Sequence, residues 1–223
     1  IDHRVEQNAS TLHYYSPVKI AHFALGAFND YLKTGDEKNL DQFEKHIEYL
    51  VINKEYFGDD EEIILWRTPT SNPKYDLAGN YVSAIVQGLV ISALVRAFTL
   101  KKKNEFFDIA LGATKLLNIP VEDGGLLADS KWGIAYEEYP CLPYSHVVNG
   151  FMFCLAGLKD LHKVSQDKEV EEMFNSGVDT LINMLDDWIL PYWSKYDLLD
   201  ITKGNSVNLA TRHYHYLHID QME

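Results

Sequence analysis

Cysteine is nearly missing from this chain: only Cys141 and Cys154 occur, with no CxxC spacing between them. That excludes a disulfide framework and a cysteine-held zinc, and leaves at most one disulfide. Positive charge is also scarce, with 20 Lys+Arg against 33 Asp+Glu and a formal net charge of -13, so a polyanion such as nucleic acid meets no general attraction. Arg67, Arg96 and Arg212 are the only arginines besides Arg4, so few side chains could form a bidentate carboxylate clamp. No run of about 18 uninterrupted apolar residues occurs. The longest apolar stretches, such as 147–158, are broken by Asn149, Gly150 and Gly157, which suits a buried helix better than a membrane span. GxSxG, the P-loop, GxGxxG and HExxH are all absent. Cellular compartment is not legible in these residues.

What remains is a chain of 223 residues, 46% apolar, enough for a sizeable core. Ser16-Pro17 opens a helical pattern expected over 17–33: Ile20, Phe23, Ala24, Ala27, Phe28 and Tyr31 recur at three- and four-residue intervals. Thr34-Gly35-Asp36 breaks it, and a second helix is expected over 38–55. The unit recurs at 81–98 with 105–117, and at 144–163 with 168–185. Phe43, Phe107 and Phe174 sit at nearly equal intervals in the second helices; His22, Gln87 and Asn149 do so in the first. A degenerate repeat of helical hairpins, closed by an unpaired helix over 207–222, predicts an α/α toroid, an incomplete barrel forming a single domain over 1–223.

The connections 61–70, 126–139 and 188–206 are long, and the first two have the pattern of short β-hairpins. Hairpin topology places all three on one rim, where the functional site is expected. Each motif there also has a plain structural reading. Tyr136-Glu137-Glu138-Tyr139-Pro140 holds two carboxylates between tyrosines, stiffened by Pro140 and Pro143, and could equally be a solvated acidic turn. Trp188, Tyr192, Trp193 and Tyr196 offer faces suited to sugar rings, or ordinary corner packing. On the last helix Tyr214, His218 and Gln221 share a face, whereas His213, His215 and His218 do not, so no metal site is expected. His22, Gln87 and Asn149 are lone polar residues in apolar helices, either satisfied by nearby backbone or pointing together into a cavity.

In these motifs the chain resembles the carboxy-terminal helical domain of the D-glucuronyl C5-epimerases, which convert glucuronate to iduronate within heparosan-type polymers. The resemblance runs from Tyr15-Ser16-Pro17 through Gln87-Gly88, Lys131-Trp132, Glu137-Glu138-Tyr139-Pro140, Asn149-Gly150-Phe151, Tyr196-Asp197-Leu198 and Asn208-Leu209-Ala210 to Tyr214-His215 and His218-Ile219. It implies an isomerase acting on a uronate-containing polysaccharide without a cofactor, with homodimerisation as one assembly. It also implies catalytic roles for Glu138, Tyr139, Tyr196 and Tyr214, and substrate contacts from His22, Gln87, Trp132, Asn149, Arg212, His215 and His218. The chain departs from the family pattern at Leu199, where arginine is usual, and at Thr211-Arg212-His213, where Arg-Trp-Asp is usual. Alternative readings are a polysaccharide lyase, an inverting glycoside hydrolase using Glu138 and Asp197, and a catalytically silent glycan-binding domain.

Overall fold

The computed structural model describes residues 4–7 and 12–223, with side chains from Tyr15 onward. Three helical hairpins form as expected: α1 (Pro17–Thr34) with α2 (Glu37–Ile52), α3 (Ala84–Lys101) with α4 (Asn104–Lys115), and α5 (Val148–Ser165) with α6 (Lys168–Trp188). The repeat is physical. Phe43 of α2 packs on Phe28 of α1 at 4.8 Å, Phe107 of α4 on Phe98 of α3 at 5.2 Å, and Phe174 of α6 lies beneath the Lys159 ammonium of α5. Each hairpin turns in two residues, and its first helix ends in the left-handed region at Gly35, Lys102 or Gln166, whose N–H donates to Tyr31, Phe98 or His162.

The first helices form the inner layer in the order α1, α3, α5, and α8 (Arg212–Met222) packs against α5. Contact is closest between α3 and α5, because a β-carbon at Gly88 would lie 2.5 Å from the Cα of Cys154, and one at Gly157 would strike the Gly88 carbonyl. Leu89, Val90 and Leu94 of α3 and Phe151, Leu155 and Leu158 of α5 belong to the same buried core. Among the described residues α3 is the one helix long and apolar enough to cross a membrane, though Gln87, Ser92, Arg96 and Thr99 interrupt its apolar sequence. It is buried on nearly every side by α1, α4 and α5, which accounts for its high apolarity.

Helix starts differ from expectation. Tyr81 pairs with Thr68 in an extended bridge, which delays α3 to Ala84. Residues 144–147 pass beneath the rim before α5 begins at Val148. Leu209 bridges Lys195 and the Ala210 N–H donates to the Ser194 carbonyl, so α8 starts only after Thr211, whose hydroxyl accepts from the Tyr214 N–H.

The second expected β-hairpin forms as β5 (Leu127–Ser130) with β6 (Gly133–Tyr136); the first forms earlier than the expected 61–70, as β3 (Glu55–Phe57) with β4 (Asp60–Leu65), because α2 already ends at Ile52; β7 (Ile189–Leu190) with β8 (Trp193–Ser194) adds a third, and β1 (Arg4–Gln7) pairs with β2 (Leu12–Tyr15). The three long connections, which in the structure run over 53–83, 116–147 and 189–211, meet on one rim. The Lys74 ammonium and Tyr75 hydroxyl of the first reach Asp197 of the third at 2.7 and 2.8 Å, and the Leu198 N–H of the third donates to the Ser145 carbonyl of the second. Cys141 and Cys154 are both free thiols.

Candidate active site

Glu138 reaches the rim because its predecessor is tied down. Tyr136, at the end of β6, is buried and donates its hydroxyl to the Met173 carbonyl of α6 at 3.0 Å. Backbone bonds then link the Glu137 N–H to the Leu126 carbonyl and the Glu137 carbonyl to the Ala84 N–H at the head of α3. Just past the end of β6 the paired carboxylates part company. Glu137 turns inward. Its carboxylate accepts from the Ser145 hydroxyl at 2.7 Å and from the N–H groups of Ser145 and His146, and it lies 2.8 Å from His146 Nδ1.

Glu138 turns the other way, into a cavity of about 480 Å³. Its backbone carbonyl accepts from the Ser83 hydroxyl at 2.6 Å, and Asn149 Nδ2 donates to its Oε2 at 3.4 Å. A β-carbon at Gly150 would fall on that same oxygen, so glycine is what lets the carboxylate settle over the head of α5. Burial pushes the Glu138 carboxyl up to about 7, helped by the nearby Glu137 charge; hydrogen bonds from Tyr139, Tyr196 and the Gly150 N–H pull the other way without offsetting it. A carboxyl poised there exchanges its proton near neutrality.

Phenols surround it. Tyr139 and Tyr214 line the same cavity, and Tyr196 packs edge-on against Tyr214 at 4.8 Å. Tyr75 stacks on Tyr139 at 4.2 Å and 13°, and the Tyr81 ring lies tilted to Tyr139 at 6.2 Å. Burial, and next the Glu138 charge, raise the phenols of Tyr139 and Tyr196 far above the ordinary value, and the same causes push Tyr81 up to about 12. The opposite walls are Val18 and His22 of α1, Phe153 of α5, and His213 and Leu217 of α8.

Of the residues singled out from the sequence, Glu138, Tyr139, Tyr214, His22 and Asn149 share this cavity, and Tyr196 stands against its tyrosines. Five others lie elsewhere. Gln87 is fully buried, and its amide donates to the Ile64 and Ala113 carbonyls at 2.9 Å each, so it serves β4 and α4 rather than the cavity. Trp132 donates its indole N–H to Asp187 of α6 and borders a second cavity. Arg212 is exposed, with its guanidinium over the Tyr216 ring. His215 stacks on Trp193 at 4.1 Å, and His215 Nδ1 and His218 Nδ1 both lie within hydrogen-bond reach of the Ser194 hydroxyl. Buried His218 is held down to about 4 by desolvation and His215, which makes it a neutral strut between α8 and β8. The sugar-platform reading of the third connection likewise narrows: Trp188 is core, Trp193 is covered by His215, and Tyr192 stands in solvent.

Asp197 faces away as well. It is fully buried, accepts from Lys74, Tyr75, Asn208 Nδ2 and the Leu199 N–H, and is not part of the cavity wall. Tyr75, Tyr81, Thr68 and Ser83 went unnoticed in the sequence; the available signal was two tyrosines in a long, non-repetitive connection. Among the described residues no group of three His, Cys, Asp or Glu side chains is placed to hold a metal ion.

A glycoside hydrolase family 76 mannosidase of Bacteroides thetaiotaomicron shares this fold with a TM-score of 0.61 at 11% identity, over 93% of this chain and 53% of that one. Cellobiose 2-epimerase from Bacillus thermoamylovorans shares it with a TM-score of 0.52 at 15% identity, over 92% and 59%. At these identities the likeness concerns the α/α toroid alone. The D-glucuronyl C5-epimerase of Caenorhabditis elegans is 32% identical over 170 residues, which cover 69% of this chain and 28% of the longer protein. Residues 59–223, including the whole Glu137-Glu138 corner, the Tyr196-Asp197-Leu198 segment and α8, match the D-glucuronyl C5-epimerase C-terminus, and the chain belongs to that family.

Proposed function

We propose that this chain is the catalytic helical domain of a uronyl C5-epimerase, converting D-glucuronate to L-iduronate within a heparosan-like polysaccharide. The observation that supports it most is a buried carboxyl poised near pH 7 on the wall of a cavity it shares with a phenol from α8. The C5 hydrogen lies alpha to the sugar's own carboxylate. Ionised Glu138 takes that proton from one face, the electron pair passes into an enediolate, and the Tyr214 hydroxyl returns a proton to the other face. One proton leaves and one arrives, so no redox partner enters. Tyr139 and Tyr196, kept neutral by their raised pKa, are hydrogen-bond donors for the developing negative oxygens, while His22 and Asn149 hold the ring.

The fully buried, four-fold satisfied Asp197 weighs against an inverting hydrolase, which needs its second carboxylate open to water. The test is incubation with heparosan in deuterium oxide, read by NMR at C5. Deuterium incorporation without change of chain length is expected, and Glu138→Gln and Tyr214→Phe are each expected to lose roughly 10²–10⁴-fold in exchange rate. Unsaturated product would make it a lyase, new reducing ends a hydrolase, and binding without deuterium a glycan-binding domain. Because the base form of Glu138 is required, kcat/KM should rise with pH through about 7.

A further inference from the structure

Glu137 and Glu138 are adjacent and both buried, yet the reaction above uses only Glu138. Glu137 does not border the cavity, so it cannot touch a substrate held there. Donors surround it instead: the Ser145 hydroxyl at 2.7 Å, the Ser145 N–H at 3.0 Å and the His146 N–H at 3.1 Å, with His146 Nδ1 at 2.8 Å. Surroundings of this kind suit a carboxylate, which only accepts.

The segment that Glu137 grips is strained. His146 is a non-glycine residue at φ 45°, in the left-handed region, a conformation that persists only where the surroundings over-determine it. Its buried ring meets Trp132 edge-on at 5.4 Å, and its carbonyl accepts the Trp188 indole N–H at 3.0 Å. From this clamp, contacts run to the phenols beside Glu138. The Ser145 hydroxyl lies 3.3 Å from the Tyr139 carbonyl, the Ser145 carbonyl accepts the Leu198 N–H at 2.9 Å, and the Val148 N–H donates to the Tyr196 carbonyl at 3.3 Å. We propose that Glu137 is a positioning residue for the epimerisation: by gripping Ser145 and His146 it fixes where Glu138, Tyr139 and Tyr196 stand relative to one another, a role that rests on the epimerase reading above.

Its charge acts on the neighbour as well. Burial is the largest cause of the raised Glu138 carboxyl, and Glu137 is the charge that adds to it. No Lys or Arg lines the cavity to oppose that charge. The titratable groups facing Glu138 are His22 of α1, Tyr75, Tyr81, Tyr139 and Tyr196 of the connections, and His213 and Tyr214 of α8. Those facing Glu137 are His146, Tyr144 and Cys141. With Glu137 made neutral, Glu138 releases its proton more readily and its base form is present at lower pH.

The test compares Glu137→Gln, which keeps the shape and removes the charge, with Ser145→Ala, which removes one donor and keeps the charge. In C5 exchange with heparosan, Glu137→Gln is expected to lower kcat by about 10–100-fold with KM unchanged, and to move the pH midpoint of kcat/KM down by about one unit. Ser145→Ala is expected to lower kcat by about tenfold with the midpoint kept. An unchanged kcat in Ser145→Ala, a loss carried by KM, or an unmoved midpoint in Glu137→Gln would overturn the assignment. If Glu137→Gln does not fold, the Ser145→Ala rates decide. If wild type shows no C5 exchange, the epimerase reading fails, and ¹³C NMR titration of the Glu138 carboxyl decides for Glu137: a lower midpoint in Glu137→Gln supports its action on Glu138, and an equal one overturns it.

Discussion

The two ends of the helical hairpins solve the same problem by opposite means. At the turn end each hairpin reverses in two residues, and one backbone bond four residues back satisfies the orphan carbonyl. At the other end the connections 53–83, 116–147 and 189–211 meet, the last two carry the buried carboxylates Glu137, Glu138 and Asp197, and Asp197 takes its partner Tyr75 from the first. Local chemistry suffices to turn a chain. Holding a carboxyl near pH 7 beside phenols takes a desolvated, long-range network, so the site end should lose stability steeply and the turn end only slightly when altered.

The largest effect is expected at the knot between connections. Asp197→Leu strands the Tyr75 hydroxyl, the Asn208 amide and the Leu199 N–H in a dry site, while half-exposed Lys74 returns to water. A loss of about 3 kcal/mol in chemical denaturation is expected, with loss of C5 exchange as Tyr75 releases Tyr139. An unchanged denaturation midpoint would show the rim to be no more cooperative than the turns.

Glu138 sharpens the contrast through pH. Its folded pKa is raised to about 7, so the stabilisation of its neutral form is complete below the ordinary carboxylate pKa and is lost as pH climbs through about 7. Glu138→Gln removes that dependence, and at pH 8 the variant should be more stable than wild type by up to about 3 kcal/mol, with no difference at pH 4. A site that gains stability when its reactive group is removed is storing strain for chemistry. Equal pH profiles for the two proteins would remove the basis for a poised base.

Gln87 occupies the boundary between the two ends. Gln87→Met leaves two buried carbonyls without donors and is expected to cost about 2 kcal/mol in thermal unfolding, with C5 exchange kept in the folded fraction because the residue does not border the cavity. The smallest change belongs to the turns. Lys102→Gly and Gln166→Gly relieve non-glycine residues at φ of 56° and 54°, and each should raise the urea midpoint by the equivalent of about 0.5–1 kcal/mol.

Much of the scaffold was legible from residue order. Apolar residues at three- and four-residue spacing, the Thr34-Gly35-Asp36 break and the recurring phenylalanines are nearest-neighbour signals, and the hairpins they foretold are present. The helices begin later than the local pattern suggests because extended backbone bonds take the chain first: Tyr81 bridges Thr68, Leu209 bridges Lys195, and Ser145 is held by Glu137 and the Leu198 N–H. At the site, the Glu138-Tyr139 corner and Tyr214 stood out because prolines and flanking motifs marked them. The equivalent repeat positions of His22, Gln87 and Asn149 misled, since equal spacing does not fix direction: two face the cavity, and Gln87 meets bare carbonyls first.

Amino-acid order alone was enough to establish the helical hairpin as the unit, its threefold repetition, and the absence of the cysteine and P-loop chemistries, because period, composition and spacing are properties of short stretches. Which of two adjacent carboxylates becomes a strut and which a poised acid, and which histidines brace α8 instead of touching a ligand, was decided by the tertiary structure. Those outcomes depend on desolvation and on partners from other elements, such as Ser145 for Glu137, Tyr196 for Glu138 and Ser194 for His218, which come together only when the long connections fold onto one rim.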